Sequence, residues 1–210
     1  MNEIGDSVKT ALDHWEKREW NAAMADACAA VDATAKERYP SLGVAKRFRK
    51  VVRSSLDIFG VMALPGIELE DVRFPVRVQS DLEDKRPDMA DILYQIHRRS
   101  HGHDDEPQFN FVMAPVGKSS ASAHFRVEPD RIQLPTSAVI GLLAIAVFAP
   151  EAKGQKIPDG YRLSWGTHTF FVNIWWGSPE SAQLRPAVRI GTNPIRGRIA
   201  PCLRRRGSST

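Results

Sequence analysis

Apolar and polar positions alternate with a helical period through most of the first hundred residues. Asp6 or Ser7 can cap a first helix, in which Val8, Leu12 and Trp15 follow at about 3.6-residue spacing. The charged stretch Glu16–Glu19 marks a turn or a solvated end. A second helix is predicted from about Asn21 to Tyr39, with a stripe of Ala23 or Met24, Ala27, Val31, Ala35 and Arg38, and Pro40 ends it. Its density of alanine permits close helix–helix approach. Ala45 to Met62 predicts a third helix with Phe48, Val51/Val52, Leu56 and Phe59 on one side. Lys46, Arg47, Arg49, Lys50 and Arg53 cover the other. Pro65 to Asp84 is mixed, and the alternation of Phe74, Val76 and Val78 reads as a short strand or an extended arm.

A fourth helix is expected from Asp84 to Ser100, with Pro87 in its first turn and Met89, Ile92/Leu93 and Ile96 inward. Gly102 and Pro107 stop it. Phe109 to Val127 reads as loop or hairpin, its FNFVM and HFRV pieces as short strands. A fifth helix, Leu134 to Ala149, is apolar nearly all round and so belongs at the centre of the core. Tyr161 to Trp176 alternates, with a turn near Gly166, as a terminal β-hairpin. The fold expected is mainly α, an up-and-down helical bundle with a small β-hairpin element. Residues 1–180 form the domain, and 181–210 an Arg-rich, disordered tail.

Length and composition add bounds. A chain of 210 residues can bury a full core without metal or disulfide staples. The two cysteines, Cys28 and Cys202, form no CxxC pair, which argues against a disulfide scaffold and a thiolate zinc site and fits a reducing cytosol. The first ten residues hold no secretory apolar segment, and the longest apolar run, Ala138 to Ala149, falls short of the roughly 20 residues that span a bilayer. The expectation is a cytoplasmic protein with no membrane partner. The net charge of +4 is uneven: residues 181–210 carry seven Arg, no Lys and no acid, leaving about −3 on residues 1–180. The high isoelectric point therefore does not itself indicate a nucleic-acid-binding fold.

Chemistry concentrates in one segment, His97-Arg98-Arg99-Ser100-His101-Gly102-His103-Asp104-Asp105-Glu106, which holds three of the six histidines. Three readings are open from spacing. His97 and His101 share a helix face and, with His103, could ligate a metal in a hydrolase. Arg98 could hold a phosphodiester with its planar donors while His103, past the helix end, moves a proton. Or the cations could simply match the helix dipole in a solvated cap. Trp165, Trp175 and Trp176 read as packing for a terminal hairpin, with base stacking the alternative.

The Arg-x4-His element Arg98…His103 closes a helix written DILYQIHRRSHGH. It lies downstream of an Ala-rich helical hairpin and upstream of a wholly apolar helix. This order resembles the HEPN superfamily of small helical domains, many of them ribonucleases of toxin–antitoxin, phage-defence and CRISPR systems. It is most similar to bacterial HEPN-like proteins with a "DxxY…HR…GH" segment and a Trp-containing end like NIWWG. The resemblance spans residues 8–176 and implies a homodimer that joins two such motifs in one cleft. Arg98 would bind the scissile phosphate and His103 would act in proton transfer. The RNA's own 2′-hydroxyl would attack, with no metal and no cofactor. Arg99, His101 and His97 would support RNA binding. Arg99 stands where that family usually has Asn, Asp or His. Arg47, Arg49, Lys50 and Arg53 would add local positive charge for RNA. An antitoxin or defence-system protein is the implied partner. A catalytically silent dimerisation or RNA-binding module is the alternative that inactive members of the superfamily suggest.

Overall fold

The computed structural model describes residues 3–100, 110–116, 124–165 and 168–178. These residues are mainly helical, with a small three-stranded sheet and a two-stranded hairpin. The expected tail, residues 181–210, lies outside them.

Helix α1, Glu3–Glu16, and helix α2, Trp20–Arg38, form an antiparallel pair. Arg18 makes the tight turn between them in the left-handed region, at φ 62°. The rings of Trp15 and Trp20 close the turn edge to face, with centroids 5.0 Å apart. Alanines let α2 lie close to its neighbours, so it is the central element, packed on α1, α3, α5 and α6. Its buried Thr34 is satisfied by donating its hydroxyl to the carbonyl of Ala30 at 2.9 Å.

The single third helix expected from Ala45 to Met62 is two helices, α3 (Val44–Arg53) and α4 (Leu56–Ala63). The serine pair between them breaks the ladder. Ser54 donates its hydroxyl to Val51 O at 2.8 Å, and Ser55 leaves helical geometry at φ −134°. Helix α4 is closed by α6 (Ser137–Phe148), whose Ser137 donates its hydroxyl to Ala63 O at 2.6 Å. Every residue of α6 from Ala138 to Phe148 is buried, as its uniform apolarity predicts. Gly141 sets the close approach of α6 to α4: a Cβ there would lie 2.8 Å from both Ala63 Cβ and a ring carbon of Phe59.

Residues 65–88 form an extended arm rather than a strand, fastened by Phe74 N–H to Pro87 O at 2.8 Å and by Phe74 packed edge-on to Phe125. Helix α5 is Met89–Ser100 and starts later than the expected Asp84. The reason is a cap at Asp88, described below.

The segment expected as loop or hairpin over Phe109–Val127 does carry strands in its FNFVM and HFRV pieces, but not as a hairpin. Strands β1 (Asn110–Ala114) and β2 (Arg126–Glu128) do not pair with each other. Both flank β3 (Arg131–Pro135): β1 in parallel, Asn110 opposite Arg131, and β2 antiparallel, Glu128 opposite Arg131. β3 buries Ile132 and Leu134, so part of the stretch expected to open the fifth helix is strand. The terminal hairpin is present as β4 (Arg162–Trp165) and β5 (His168–Phe171), but the chain then coils into a helical turn, α7 (Val172–Trp175). Asn173 pins that turn by donating to Ile157 O at 2.8 Å and accepting from Ile157 N–H at 3.1 Å. No described helix is long and apolar enough to cross a membrane.

Candidate functional site

Helix α5 carries the chemistry that the sequence singles out, and a buried ionic network sets where its first turn sits. Asp88 precedes the helix and accepts the N–H of Asp91 at 2.9 Å. Asp91 returns the contact, accepting the N–H of Asp88 at 3.3 Å. This reciprocal pair satisfies two N–H groups at the helix start and stops the helix from extending back to Asp84. Two arginines from α3 converge on it. Arg53 reaches Asp88 with Nε at 2.7 Å, and its Nη2 lies 2.8 Å from Asp81 and 3.2 Å from Asp91. Arg49 places Nε 2.7 Å from Asp91 and donates through Nη2 to Gln79 O at 3.0 Å.

Asp91 is fully buried and Asp88 nearly so. Burial pushes the Asp91 carboxyl above the ordinary carboxylate range, and the neighbouring charge of Asp88 adds to that. Burial also opposes ionisation of Asp88, but hydrogen bonds from Arg53 and the Asp91 backbone outweigh it and hold that carboxyl below its ordinary value. Among these acids Arg53 is held more firmly protonated than a free arginine, against the opposing effect of its own burial.

From this anchor a stack of rings runs toward the other end of α5. The Arg49 guanidinium lies 4.5 Å from the centre of the Tyr94 ring. Tyr94 meets Phe48 at 5.9 Å, and Phe48 stacks face to face on His97, centroids 4.9 Å apart and planes 6° apart. His97 is 3% exposed. The side chain expected to support RNA binding is therefore packed in the core between α3 and α5. Arg98, one residue on, is half-buried in the last turn of α5. Arg99 ends the helix with Ser100. Its side chain lies outside the described structure, as do His101 and His103 entirely.

The arginines of α3 are each paired with an aspartate. Arg47 forms a two-pronged pair with Asp32, both contacts 2.9 Å. Arg49 and Arg53 belong to the Asp88/Asp91 network, and Lys50 sits 4.4 Å over the Tyr39 ring. Arg47, Arg49 and Arg53, expected to add positive charge for RNA, thus have carboxylate partners within the fold, while Lys50 is exposed. Asp26 likewise has a structural contact, 2.7 Å from His14 Nδ1. Cys28 is wholly buried, and that burial pushes its thiol well above its ordinary value. Among the described residues no group of three His, Cys, Asp or Glu is arranged to hold a metal ion. Trp176 is buried and donates Nε1–H to Asn173 at 3.1 Å, and Trp175 packs on Phe148 at 5.7 Å, so both serve packing. The sequence reading did not foresee the Asp88/Asp91 pair. Its signal was present as D-x-x-D immediately after Pro87.

Three mycobacterial proteins are similar to the chain. Uncharacterized protein Rv1289 of Mycobacterium tuberculosis (strain H37Rv) and uncharacterized protein Mb1320 of Mycobacterium bovis are each 56% identical over 176 residues, covering 83% of this chain and 83% of theirs. Uncharacterized protein MT1327 of M. tuberculosis strain CDC 1551 matches to the same extent. No solved structure matches the chain. The model of one family, described as Rv1289, matches residues 3–193, and the chain belongs to that family.

Proposed function

We propose that this protein is a metal-independent endoribonuclease of HEPN type, working as a cytoplasmic homodimer in bacterial defence or beside an antitoxin. The mainly helical fold suits a HEPN-like bundle. The observation that carries the reading is the setting of Arg98. Helix α5 is clamped at its start by the Asp88/Asp91/Arg53 network and along its side by the Phe48–His97 stack. A guanidinium in its last turn is thus delivered on a rigid support, which phosphate positioning requires.

The chemistry follows from the side chains. Arg98 offers planar donors to the two non-bridging phosphate oxygens. His103, five residues on, takes the proton from the attacking 2′-hydroxyl or gives one to the leaving 5′-oxygen, and its counterpart from the second copy does the other. The bond from phosphorus to the 5′-oxygen breaks as the bond to the 2′-oxygen forms, leaving a 2′,3′-cyclic phosphate. The packing of His97 against Phe48 favours this assignment over a metal site using His97, His101 and His103.

The test is cleavage of single-stranded RNA in EDTA. Arg98→Ala and His103→Ala should each lower the rate by at least about a hundredfold with circular dichroism and dimer mass unchanged. His101→Ala should cost less than tenfold. Loss on chelation restored by zinc or manganese would replace this reading with the metal-dependent hydrolase. Binding of RNA without any cleavage by the wild type would replace it with the silent module.

A further inference from the structure

Away from α5, the turn between α1 and α2 faces strand β1 across an open cavity of about 460 Å³. Arg18, Glu19, Trp20 and Asn21 line one side and Phe111 and Met113 the other. The volume lies within the ~300–1,000 Å³ of small-molecule sites. Two aromatic side chains line it, both half-buried. The Trp20 and Trp15 rings meet edge to face with centroids 5.0 Å apart, which restricts the Trp20 ring before a ligand arrives. Arg18 and Glu19, adjacent and exposed, put a planar donor and an acceptor at the rim. The Glu19 carboxylate lies 3.6 Å from His14 Nε2.

We infer that this cavity binds an unpaired nucleobase, stacked on Trp20 and Phe111, with Arg18 donating to the ring acceptors and Glu19 accepting from a ring or exocyclic N–H. The pairing of charges selects this chemistry. A phosphate in the cavity would meet the Glu19 carboxylate, whereas a base edge carries donors and acceptors side by side and suits both rim residues. An aliphatic ligand would leave the guanidinium and carboxylate without use. The distribution of cations points the same way. Arg47, Arg49 and Arg53 are paired with aspartates, so stacking supplies affinity that α3 does not provide by charge. The inference gives the proposed ribonuclease a contact to an unpaired base at the α1–α2 turn, away from Arg98, and rests on that reading only for the identity of the polymer.

Arg18 also supplies a clean variant. Its φ of 62° suits glycine better than arginine, so Arg18→Gly removes the guanidinium while relaxing the turn. The experiment measures fluorescence anisotropy of a labelled 2′-O-methyl oligonucleotide, which cannot be cleaved through a 2′-hydroxyl, with the wild type, Arg18→Gly, Glu19→Gln and Phe111→Thr. Melting temperatures are recorded for each. A free nucleoside and the duplex of the same sequence compete in separate arms. Single-strand affinity should fall about tenfold in Arg18→Gly and Phe111→Thr, with the duplex a weak competitor. Competition by the free nucleoside at millimolar concentration identifies the base itself as the bound unit; competition only by oligonucleotide overturns the single-base pocket. No binding by the wild type, binding unchanged in Arg18→Gly, or equal competition by duplex would each overturn the inference. If the protein cleaves RNA while the pocket variants bind normally, the pocket fails and the ribonuclease reading stands. If binding follows the pocket but nothing is cleaved, the reverse holds.

Discussion

At its start α5 is held by charges of which Arg49, Asp88 and Asp91 have almost no contact with water; its last turn carries the half-exposed cation Arg98, which the dipole favours. Asp88 and Asp91 face Arg49 and Arg53 at 2.7 Å, with Asp91 fully buried. Nine to eleven residues from the cap at Asp88, the chain passes through His97, Arg98 and Arg99. Of these, the His97 ring packs inward on Phe48 while Arg98 stays half-exposed. The two ends share residue types and differ in surroundings. Burial makes a carboxylate–guanidinium pair indispensable to the fold once it is formed, because either partner alone would be an uncompensated charge in a poor dielectric. At a half-exposed helix end a guanidinium contributes less to stability, because water screens its charge.

The largest expected effect comes from breaking the buried end. Asp91→Ala leaves Arg49 without its carboxylate and removes one arm of the reciprocal cap. The loss should be about 3–5 kcal/mol, seen as a lower urea midpoint with an unchanged slope. Asp91→Asn keeps the shape and a backbone acceptor and should lose less. A loss under about 1 kcal/mol in Asp91→Ala would mean that the network is decoration rather than anchor.

How far the sequence foretells this contrast depends on what each feature needs. Helices α1, α2 and α6 are legible because their cue is local: an apolar stripe for α1, dense alanine for α2, and unbroken apolarity for α6. The break at Ser54–Ser55 is hidden by a stripe that continues in register through Leu56 and Phe59, and only the serine hydroxyl bonded to Val51 O betrays it. Strand β3 is hidden because its partners lie on both sides of it in space, one of them parallel, and parallel pairing leaves no turn signature next to the strand. At α5 the conspicuous residues are the His and Arg of its last turn. The five polar groups that hold its start are scattered over Arg49, Arg53, Asp81, Asp88 and Asp91. Their assembly needs the extended arm to fold back, which no spacing in the sequence announces. His97 shows the converse: its place in a His/Arg run suggests a ligand-binding role, yet the facing Phe48 makes it a packing residue.

Acidity sharpens the comparison with a smaller effect. The folded-state value of Asp88 is lowered, so it contributes stability above its ordinary 3.8, and that contribution is lost as pH falls through the lower folded value. Asp91 is raised, so its contribution is complete below 3.8 and is lost as pH rises through its higher folded value. The two therefore pull in opposite directions, and between 3.8 and the raised value Asp91 offsets part of the acid sensitivity of the fold. Asp91→Asn should steepen the fall in stability on acidification by at most about 1.4 kcal/mol per pH unit in that window, read from urea midpoints between neutral pH and pH 4. A slope equal to that of the wild type would show that Asp91 titrates as it does in the unfolded chain.

The smallest effect belongs to the wet end, and it completes the test. Arg98 lies outside the inward stripe of Met89, Ile92, Leu93 and Ile96, all of them buried, so truncating it opens no core cavity. What Arg98→Ala removes from the fold is a cation near the helix C-terminus, together with the contacts its side chain makes within the protein. That interaction is typically ~0.3–1 kcal/mol at low salt and is screened as salt rises. The expected change is about 0.5 kcal/mol or less at moderate ionic strength, shrinking further in 0.5 M salt, with no change in unfolding slope. The same substitution should remove RNA cleavage, so that stability and activity separate at this residue and not at Asp91, where activity falls only as the fold does. Arg98→Lys discriminates further. It preserves the charge at the helix end and should restore the lost stability, but a point charge cannot reproduce the two-pronged grip on phosphate, and cleavage should stay low. If Arg98→Ala destabilised the protein as much as Asp91→Ala, both ends of α5 would be structural, and Arg98 would have to be reassigned from substrate contact to the internal network.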